Sequence, residues 1–201
     1  MLENTEITAI VLNTPDRIAR ITEEAIICAD GGFSHVAENV LVYAVVGDMD
    51  SVRGLPDYVR TVKYPADKDK TDGELCLDFA KAEGFSSVRI YGAEGGRADH
   101  AIGNLGLLSY AKKLGLDALI VTPDSLVRLV TEGINLTLEK GARFSFVPVD
   151  DVVVSRLSGT KYTLTDTQIE AFSSRGISNV ALGGEVIFEA KGRVLVIHDK
   201  A

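Results

Sequence analysis

A chain of 201 residues, 46% of them apolar and 25% charged, has the composition of a globular protein with one large or two small domains. The formal net charge of −8 argues against a nucleic-acid partner, because phosphate backbones are bound by clustered Lys and Arg. No segment approaches the roughly 20 apolar residues of a membrane span. Residues 1–6 show no signal peptide, and Cys28 and Cys76 are interpreted as buried free thiols, so we expect a cytoplasmic protein without a membrane partner.

Up to about Thr122, short apolar runs alternate with segments of helical character. Strands that alternate with helices form mainly parallel sheets with right-handed crossovers, so this half predicts an α/β domain. The predicted strands are 7–13, 26–30, 42–46, 62–65, 88–92 and 117–122. Residues 14–16 break the first strand, and the predicted helices are a short one from there to about residue 24, then 34–39, 71–84 and 99–114. The third helix begins with a capping box of Thr71 and Glu74.

After Pro123 the pattern changes to short β-rich segments separated by Gly or Asp turns. The segments are 126–130, 135–139, 143–149, 152–157, 186–190 and 194–198, with one helix-like piece at 166–172. This half favours a small antiparallel sandwich or barrel, with tight hairpin turns between its strands. We place the domain boundary at residue 123.

Acidic turns that contain glycine follow three of the predicted parallel strands. They are Asp30-Gly31-Gly32, Gly47-Asp48-Met49-Asp50 and residues 92–99. Open parallel sheets bind their ligands beyond the carboxyl ends of the strands. A single turn of this kind is most often an ordinary surface turn, but three at equivalent strand ends predict a binding site.

Asp48 and Asp50 are the predicted magnesium ligands. Side chains two residues apart along a strand project from the same face, and carboxylates this close repel unless a cation lies among them. Asp69 and Asp72, at the start of a predicted helix, are the next candidates. The alternative for Asp72 is stabilisation by the helix dipole without a metal, and the alternative for Lys68 is neutralisation of neighbouring acids.

A phosphate-binding role is predicted for the glycine turns and for Arg97. Backbone N–H groups approach a phosphate closely where no Cβ intervenes, as at Gly31, Gly32, Gly95 and Gly96. Arg97 offers a planar charge for bidentate contact, and the alternative is that it pairs with Asp99 or Glu94. The sequence has no zinc-type His/Cys set, no nucleophile elbow and no P-loop.

Taken together in their order, the motifs resemble those of the thiamine pyrophosphokinase family. The motifs are Ala-Asp-Gly-Gly at 29–32, Gly-Asp-Met-Asp-Ser at 47–51, Asp-Lys-Asp-Lys-Thr-Asp at 67–72, Gly-Gly-Arg-Ala-Asp-His at 95–100 with Asn104, Ser-Gly-Thr-Lys-Tyr-Thr-Leu at 158–164 and Gly-Ile-Ser-Asn at 176–179. The resemblance covers nearly the whole chain. Met49 stands where the family commonly has Phe, and Thr160 and Thr163 replace its usual Leu and Pro.

The resemblance implies a fold, a reaction and an assembly. The expected fold is a three-layer, Rossmann-like α/β domain that binds ATP at residues 1–123, followed by an antiparallel β-sandwich that binds thiamine at residues 124–201. The expected reaction is the Mg²⁺-dependent transfer of the pyrophosphoryl group of ATP to the thiamine hydroxyl, which gives thiamine diphosphate and AMP. The expected assembly is a homodimer with active sites between the subunits.

The resemblance also assigns roles to particular residues. The implied metal ligands are Asp48, Asp50 and Asp72. The residues implied to bind ATP are Asp30, Gly31, Gly32, Lys68, Gly95, Gly96 and Arg97. The residues implied to contact thiamine are Asp99, His100, Asn104, Ser178 and Asn179. Catalytic roles fall on Asp48, Asp50, Asp69, Asp72, Arg97 and Asp99, with the general base left open between Asp72 and Asp99. The alternative functions are a pyrophosphokinase for another alcohol such as a hydroxymethylpterin, a non-catalytic nucleotide or thiamine sensor, and a magnesium-dependent phosphohydrolase.

Overall fold

The computed structural model describes residues 6–16, 18–36 and 40–200. The chain divides into two compact units, Met1–Pro123 and Asp124–Ala201. Each unit has a sheet structure of its own kind, so the two are described separately.

The described part of the first unit contains a parallel sheet of six strands. The strands are β1 (Ile7–Val11), β2 (Ala25–Ala29), β3 (Ala44–Gly47), β4 (Thr61–Lys63), β5 (Ser87–Tyr91) and β6 (Asp117–Val121). Their order across the sheet is β6-β5-β1-β2-β3-β4. Every residue of β2 and β3 is buried, as is typical of central parallel strands covered on both faces. All six strands were predicted, and their carboxyl ends meet at one edge.

Two α-helices pack against this sheet and against each other: α1 (Asp72–Ala82) and α2 (Ala98–Lys113). Helix α1 begins with the predicted capping box. The backbone N–H of Thr71 donates to Glu74 Oε2 at 2.9 Å, and the N–H of Glu74 donates to Thr71 Oγ1 at 3.3 Å. Leu75 and Phe79 belong to the buried face of α1, which contacts β1, β2 and β3. This packing fixes the start of α1 beside the carboxyl edge of the sheet.

Three predicted helices are wrong. Residues 18–24, where a short helix was predicted, form none. A 3₁₀ helix at Asp30–His35 replaces the helix predicted for 34–39, of which residues 37–39 lie outside the described part. The piece at 166–172 forms no helix, and its first four residues belong to strand β11 (Leu164–Ile169). The β-branched Thr165 and Thr167 pair with a neighbouring strand there, and this pairing outweighs the local pattern.

The second unit is antiparallel. The remaining strands are β7 (Ser125–Val130), β8 (Gly133–Leu138), β9 (Arg143–Pro148), β10 (Val152–Ser158), β12 (Asn179–Val180), β13 (Gly184–Lys191) and β14 (Val194–Asp199). One sheet has the order β12-β9-β14-β7, and the other has the order β11-β10-β13-β8. Phe146 of the first and Phe188 of the second pack with ring centroids 4.9 Å apart in a shared core.

The fold is therefore mixed α/β, with parallel strands in the first unit and antiparallel strands in the second, as predicted. Neither α1 nor α2 has the length and apolarity needed to span a lipid bilayer, and these are the α-helices of the described chain. Cys28 of β2 and Cys76 of α1 are buried free thiols, also as predicted.

Candidate active site

Three carboxylates converge at the carboxyl edge of the parallel sheet. Asp30 follows β2, and Asp48 and Asp50 follow the neighbouring strand β3. Each can offer one oxygen that lies within 4.8 Å of an oxygen from each of the others. Carboxylate oxygens at this spacing are the ligands that Mg²⁺ and similar hard cations prefer.

The backbone holds two residues of this edge in an unusual conformation. Asp30 has φ 43° and Met49, between the other two acids, has φ 70°. Left-handed conformations are uncommon for residues other than glycine and cost about 1–3 kcal/mol where they are strained. The edge is thus held in a specific shape by the sheet on which it stands.

Asp30 fits a metal ligand best. Its side chain is buried, and Oδ1 has no hydrogen-bond partner among the described residues. A buried carboxylate oxygen is costly unless a cation or donor satisfies it. The donor set and the orphaned oxygen together fit a divalent cation held by Asp30, Asp48 and Asp50. The sequence predicted that Asp30 binds ATP and did not include it among the metal ligands. The 3₁₀ helix that begins at Asp30 and brings it close to β3 has no periodic pattern by which it could be recognised.

Gly47, the last residue of β3, lets Asp30 and Asp72 lie close to the backbone of β3. A Cβ at Gly47 would lie 2.8 Å from Cβ of Asp30 and 3.2 Å from Oδ1 of Asp72. Both distances are shorter than ordinary van der Waals contact. A side chain here would therefore push apart the first turn of α1 and the acid that follows β2.

Asp72 lies at the start of α1, where it forms an ion pair with Lys68. Nζ of Lys68 is 2.7 Å from Oδ1 of Asp72 and 3.8 Å from Oδ2 of Asp48. The contact with Asp72 is a close charge pair without the alignment of a good hydrogen bond. Desolvation lowers the pKa of Lys68, but the close contact with Asp72 and the charges of Asp72, Asp48 and Asp30 raise it above its ordinary value overall. A positive charge therefore lies among three carboxylates, those of Asp72, Asp48 and Asp30.

The hydrogen bond from the backbone N–H of Asp50 to Oδ1 of Asp48, at 3.2 Å, is the main cause that lowers the pKa of Asp48. Desolvation opposes this shift, and Lys68 adds to it. Asp48 is thus prepared to bind a cation in its ionised form. Asp69 is exposed and does not join the three-acid cluster within the described residues.

Glycine-bearing turns follow β2 and β5, as predicted. Residues of β1 and of the segment after it fill the space where Cβ atoms of these glycines would lie. A Cβ at Gly32 would lie 2.2 Å from the carbonyl oxygen of Val11, and one at Gly31 would lie 2.5 Å from Nδ2 of Asn13. A Cβ at Gly95 would lie 1.6 Å from Oδ2 of Asp16. These glycines allow the segment after β1 to fit between the turns after β2 and β5.

The segment after β1 is thus a part of the site that sequence reasoning missed. Thr14 Oγ1 donates to the carbonyl of Glu94 at 2.9 Å, and Pro15 packs near Gly96. The Thr-Pro-Asp sequence at 14–16 predicted only a break after the strand. No signal in the sequence links this segment to the two glycine-bearing turns, because its place depends on β1 lying between β2 and β5.

Arg97 forms an exposed ion pair with Asp99, which is the alternative that the sequence left open. Nη2 of Arg97 lies 2.5 Å from Oδ2 of Asp99, and this contact is the largest cause that lowers the pKa of Asp99. His100 is exposed at the start of α2. Asn104 donates to the carbonyl of Ala93 at 3.1 Å, so it fixes the turn between β5 and α2.

In the second unit, Ser178 and Asn179 lie beside the turn at Thr160–Tyr162. Nδ2 of Asn179 donates to Thr160 Oγ1 at 3.1 Å and to the carbonyl of Tyr162 at 2.6 Å, and its Oδ1 accepts from the N–H of Tyr162 at 3.0 Å. Asn179 is buried and shapes the turn. Ser178, at φ 63°, exposes its side chain while its N–H donates to Ser145 Oγ.

These features define a mixed α/β protein with a candidate metal and phosphate site on its parallel sheet. The model of the thiamin pyrophosphokinase catalytic domain matches residues 20–120, and the model of the thiamin pyrophosphokinase vitamin B1 binding domain matches residues 132–195. The chain belongs to the thiamin pyrophosphokinase family. The reaction of this family is the transfer of the pyrophosphoryl group of ATP to thiamine.

Individual relatives agree with this assignment. A thiamine pyrophosphokinase of Bacillus subtilis is 32% identical over 138 residues, which span 67% of this chain and 64% of that relative. A solved Bacillus subtilis thiamine pyrophosphokinase is similar with a TM-score of 0.82 at 23% identity, covering 96% of this chain and 99% of that one. A solved thiamin pyrophosphokinase from Geobacillus thermodenitrificans gives a TM-score of 0.79 at 27% identity, covering 97% and 98%. The yeast enzyme gives 0.78 at 14% identity, covering 98% and 87%, a likeness of fold alone.

Proposed function

We propose that this protein is a thiamine diphosphokinase that transfers the pyrophosphoryl group of ATP to the hydroxyl of thiamine and releases AMP. The observation that carries the proposal is the carboxylate cluster at the ends of β2 and β3, in a chain that has both family domains in order. Thiamine is a cation, so the acidic character of the chain favours its approach.

Asp30, Asp48 and Asp50 would hold Mg²⁺, with Asp72 at the margin of the cluster. When bound, Mg²⁺ supplies charge neutralisation for the triphosphate and for the departing AMP. The orphaned Oδ1 of Asp30 supports this assignment, because the described protein gives it no other partner. Asp69 lies near enough in sequence to act from the same loop.

The residues of this chain would bind and orient the two substrates. Arg97 and the glycine turns after β2 and β5 bind phosphate oxygens, and Lys68 adds a positive charge beside Asp72. Asp72 or Asp99 accepts the proton of the thiamine hydroxyl. Arg97 lowers the pKa of Asp99 and so weakens Asp99 as a base while the two are paired.

The second unit would bind thiamine through Ser178 and the turn held by Asn179, and the first unit of the other subunit in the proposed dimer would contact it through Asp99, His100 and Asn104. We describe the two sheets around Phe146 and Phe188 as a β-sandwich, and the first unit as a Rossmann-like, three-layer domain. The strand order of the first unit supports the Rossmann-like description. Strands β2 to β4 are added on one side of β1 and β5 on the other, so the order of the sheet reverses between β1 and β5. The cytoplasm is the proposed location.

The proposed assembly is a homodimer in which each active site uses both subunits. Both units expose apolar side chains that an interface would cover. In the first unit these are Ile102 and Leu105 of α2, and in the second they are Tyr162, Ile177 and Leu182.

The proposal is tested by measuring AMP released from ATP and Mg²⁺ with and without thiamine. We expect AMP and thiamine diphosphate in equal amounts, and only when thiamine is present. AMP that forms with a hydroxymethylpterin but not with thiamine would overturn the substrate assignment. Tight binding without AMP would indicate a sensor, and ATP turnover without any alcohol would indicate a phosphohydrolase.

A further inference from the structure

A polar pair, Asn13 and His35, lies at the carboxyl end of β1. Nε2 of His35 lies 3.3 Å from Oδ1 of Asn13, and the backbone N–H of Thr14 lies 3.3 Å from the same Nε2. The Asn13 amide packs against Gly31, where a Cβ would come within 2.5 Å of Nδ2. Among the described residues, Nδ2 of Asn13 has no hydrogen-bond acceptor.

The strand order places this pair between the two halves of the candidate site. Arg97 and its glycines follow β5, whereas Asp30 and Asp48 follow β2 and β3, and β1 lies between β5 and β2. Because neighbouring strands are about 4.8 Å apart, the ends of β5 and β2 are separated by about 10 Å. A phosphate chain that reaches both the acids and Arg97 has to cross the end of β1.

We infer that Asn13 donates a hydrogen bond from Nδ2 to a phosphate oxygen of ATP, and that His35 positions its amide for this contact. The inference rests on the proposed function, since it takes a nucleoside triphosphate as the ligand. A neutral donor suits this place, because a lysine there would compete with the metal for the acids and a carboxylate would repel the phosphates.

The chemistry of the imidazole explains why His35 is suited to orient Asn13. A single Nε2 cannot both accept from the N–H of Thr14 and donate to Oδ1 of Asn13. When Nε2 carries the hydrogen, it gives up the contact with the N–H of Thr14, donates to Oδ1 of Asn13 and leaves the two Nδ2 hydrogens of Asn13 for a ligand. His35 acts through Asn13 and is therefore a positioning residue.

The test is the direct binding of ATP and Mg²⁺ to the whole protein without thiamine, measured by calorimetry. We expect Asn13→Ala to weaken binding about tenfold, as for a lost hydrogen bond to a charged group. Asn13→Asp keeps the shape but replaces the donor by a negative charge, so it should weaken binding further. Asn135→Asp, the same change on an exposed position of β8, is the matched control and should bind like the wild type.

A thermal unfolding curve of each variant accompanies the binding measurement and shows whether the variant is folded. In steady-state assays, Asn13→Ala should raise the KM for ATP and leave the KM for thiamine unchanged. Wild-type affinity for ATP in both Asn13 variants would overturn the inference while leaving the proposed function intact. A wild-type protein that does not bind ATP would overturn both.

The positioning role of His35 requires its own measurement. His35→Leu should weaken ATP binding in the wild-type background and have no further effect in Asn13→Ala, because the two residues act as one unit. His35→Gln keeps a donor and should recover part of the affinity. Equal losses from His35→Leu in both backgrounds would overturn the positioning role.

Discussion

Nζ of Lys68 lies 2.7 Å from Oδ1 of Asp72, at the margin of the carboxylate cluster. The ammonium is only slightly exposed and also lies 3.8 Å from Asp48. In a protein without bound cation, this one positive charge reduces the repulsion between the acids of β2, β3 and α1. Lys68 and a cation held by the cluster would therefore have overlapping electrostatic roles.

Replacement of Lys68 by Met should make the protein depend on divalent cations for stability. Without Lys68 the carboxylates repel one another, so we expect a lower melting temperature in EDTA and a larger gain on addition of Mg²⁺ than in the wild type. Differential scanning calorimetry with and without Mg²⁺ measures both effects. Lys112→Met, at an exposed position of α2, is the control. Equal gains in the wild type and in Lys68→Met would contradict the overlap.

Neutralisation of the clustered acids should abolish turnover and preserve the fold. We expect Asp30→Asn, Asp48→Asn and Asp50→Asn each to lower kcat by at least about 100-fold, because each would remove a charged ligand of the proposed cation. Asparagine tolerates the left-handed conformation of Asp30, so the backbone is retained there. Asp57→Asn, a change at an exposed site, is the control. Near-normal rates in the three variants would refute their role.

Two glycine-to-alanine changes should have opposite effects on stability. A Cβ at Gly32 would lie 2.2 Å from the carbonyl oxygen of Val11, so Gly32→Ala should destabilise the protein by about 2–3 kcal/mol. Gly103 in α2 has open space around its missing Cβ, and Gly103→Ala should stabilise by up to about 1 kcal/mol. Urea unfolding gives both values. A stable Gly32→Ala variant would show that the segment after β1 yields easily.

Stability should fall in mild acid because His198 is buried. Burial is the largest cause that lowers the pKa of His198 below its ordinary 6.5, and the charge of Arg128 lowers it further. The hydrogen bond with the carbonyl of Asp199 opposes this shift. The unfolded chain therefore takes up a proton that the folded chain resists, and folding free energy is lost as pH falls below about 6.5. Urea unfolding between pH 8 and pH 5 should show a smaller loss for His198→Gln than for the wild type. His100→Gln changes an exposed ring and is the comparison. The same slope in all three proteins would exclude His198 as the source.

Active sites shared between subunits predict complementation. Asp48→Asn disables the first unit, and Asn179→Ala removes the side chain that holds the turn at Thr160–Tyr162 in the second. If each site uses both subunits, every mixed dimer has one intact site and one site with both changes. Subunit exchange makes half of the dimers mixed, so about a quarter of the wild-type sites should be restored. Activity measured before and after exchange provides the result. No recovery between exchanging dimers would place each site within one subunit.

Much of the fold follows from local patterns. The apolar runs of β2 and β3 and the capping box of Thr71 and Glu74 carry their own signals, and these elements lie where they were predicted. The errors occur where distant contacts decide. Residues 164–169 form a strand because they pair with β10, and residues 30–35 turn tightly because they pack on the end of β1.

Of the three clustered acids, the sequence predicted Asp48 and Asp50 as metal ligands and placed Asp30 with ATP, and it missed the surroundings of the cluster. Asp48 and Asp50 are visible because their spacing alone implies convergence. Asn13 and Asp16 are not visible in the sequence, because their positions matter only when β1 lies between β5 and β2. The order of the strands is set by how the chain crosses between them. Lys68 was among the predicted residues, but only coordinates show that it lies next to Asp72.

The left-handed conformations of Asp30 and Met49 mean that the shape of the acidic edge belongs to the main chain as much as to the carboxylates. A designer who copied the three acids onto another parallel sheet would reproduce the charges without the angles that aim them. The transplanted site would then have to bend its backbone each time a cation arrived, and would bind it more weakly. The unit to transfer is the pair of strand ends together with the residues that hold them bent.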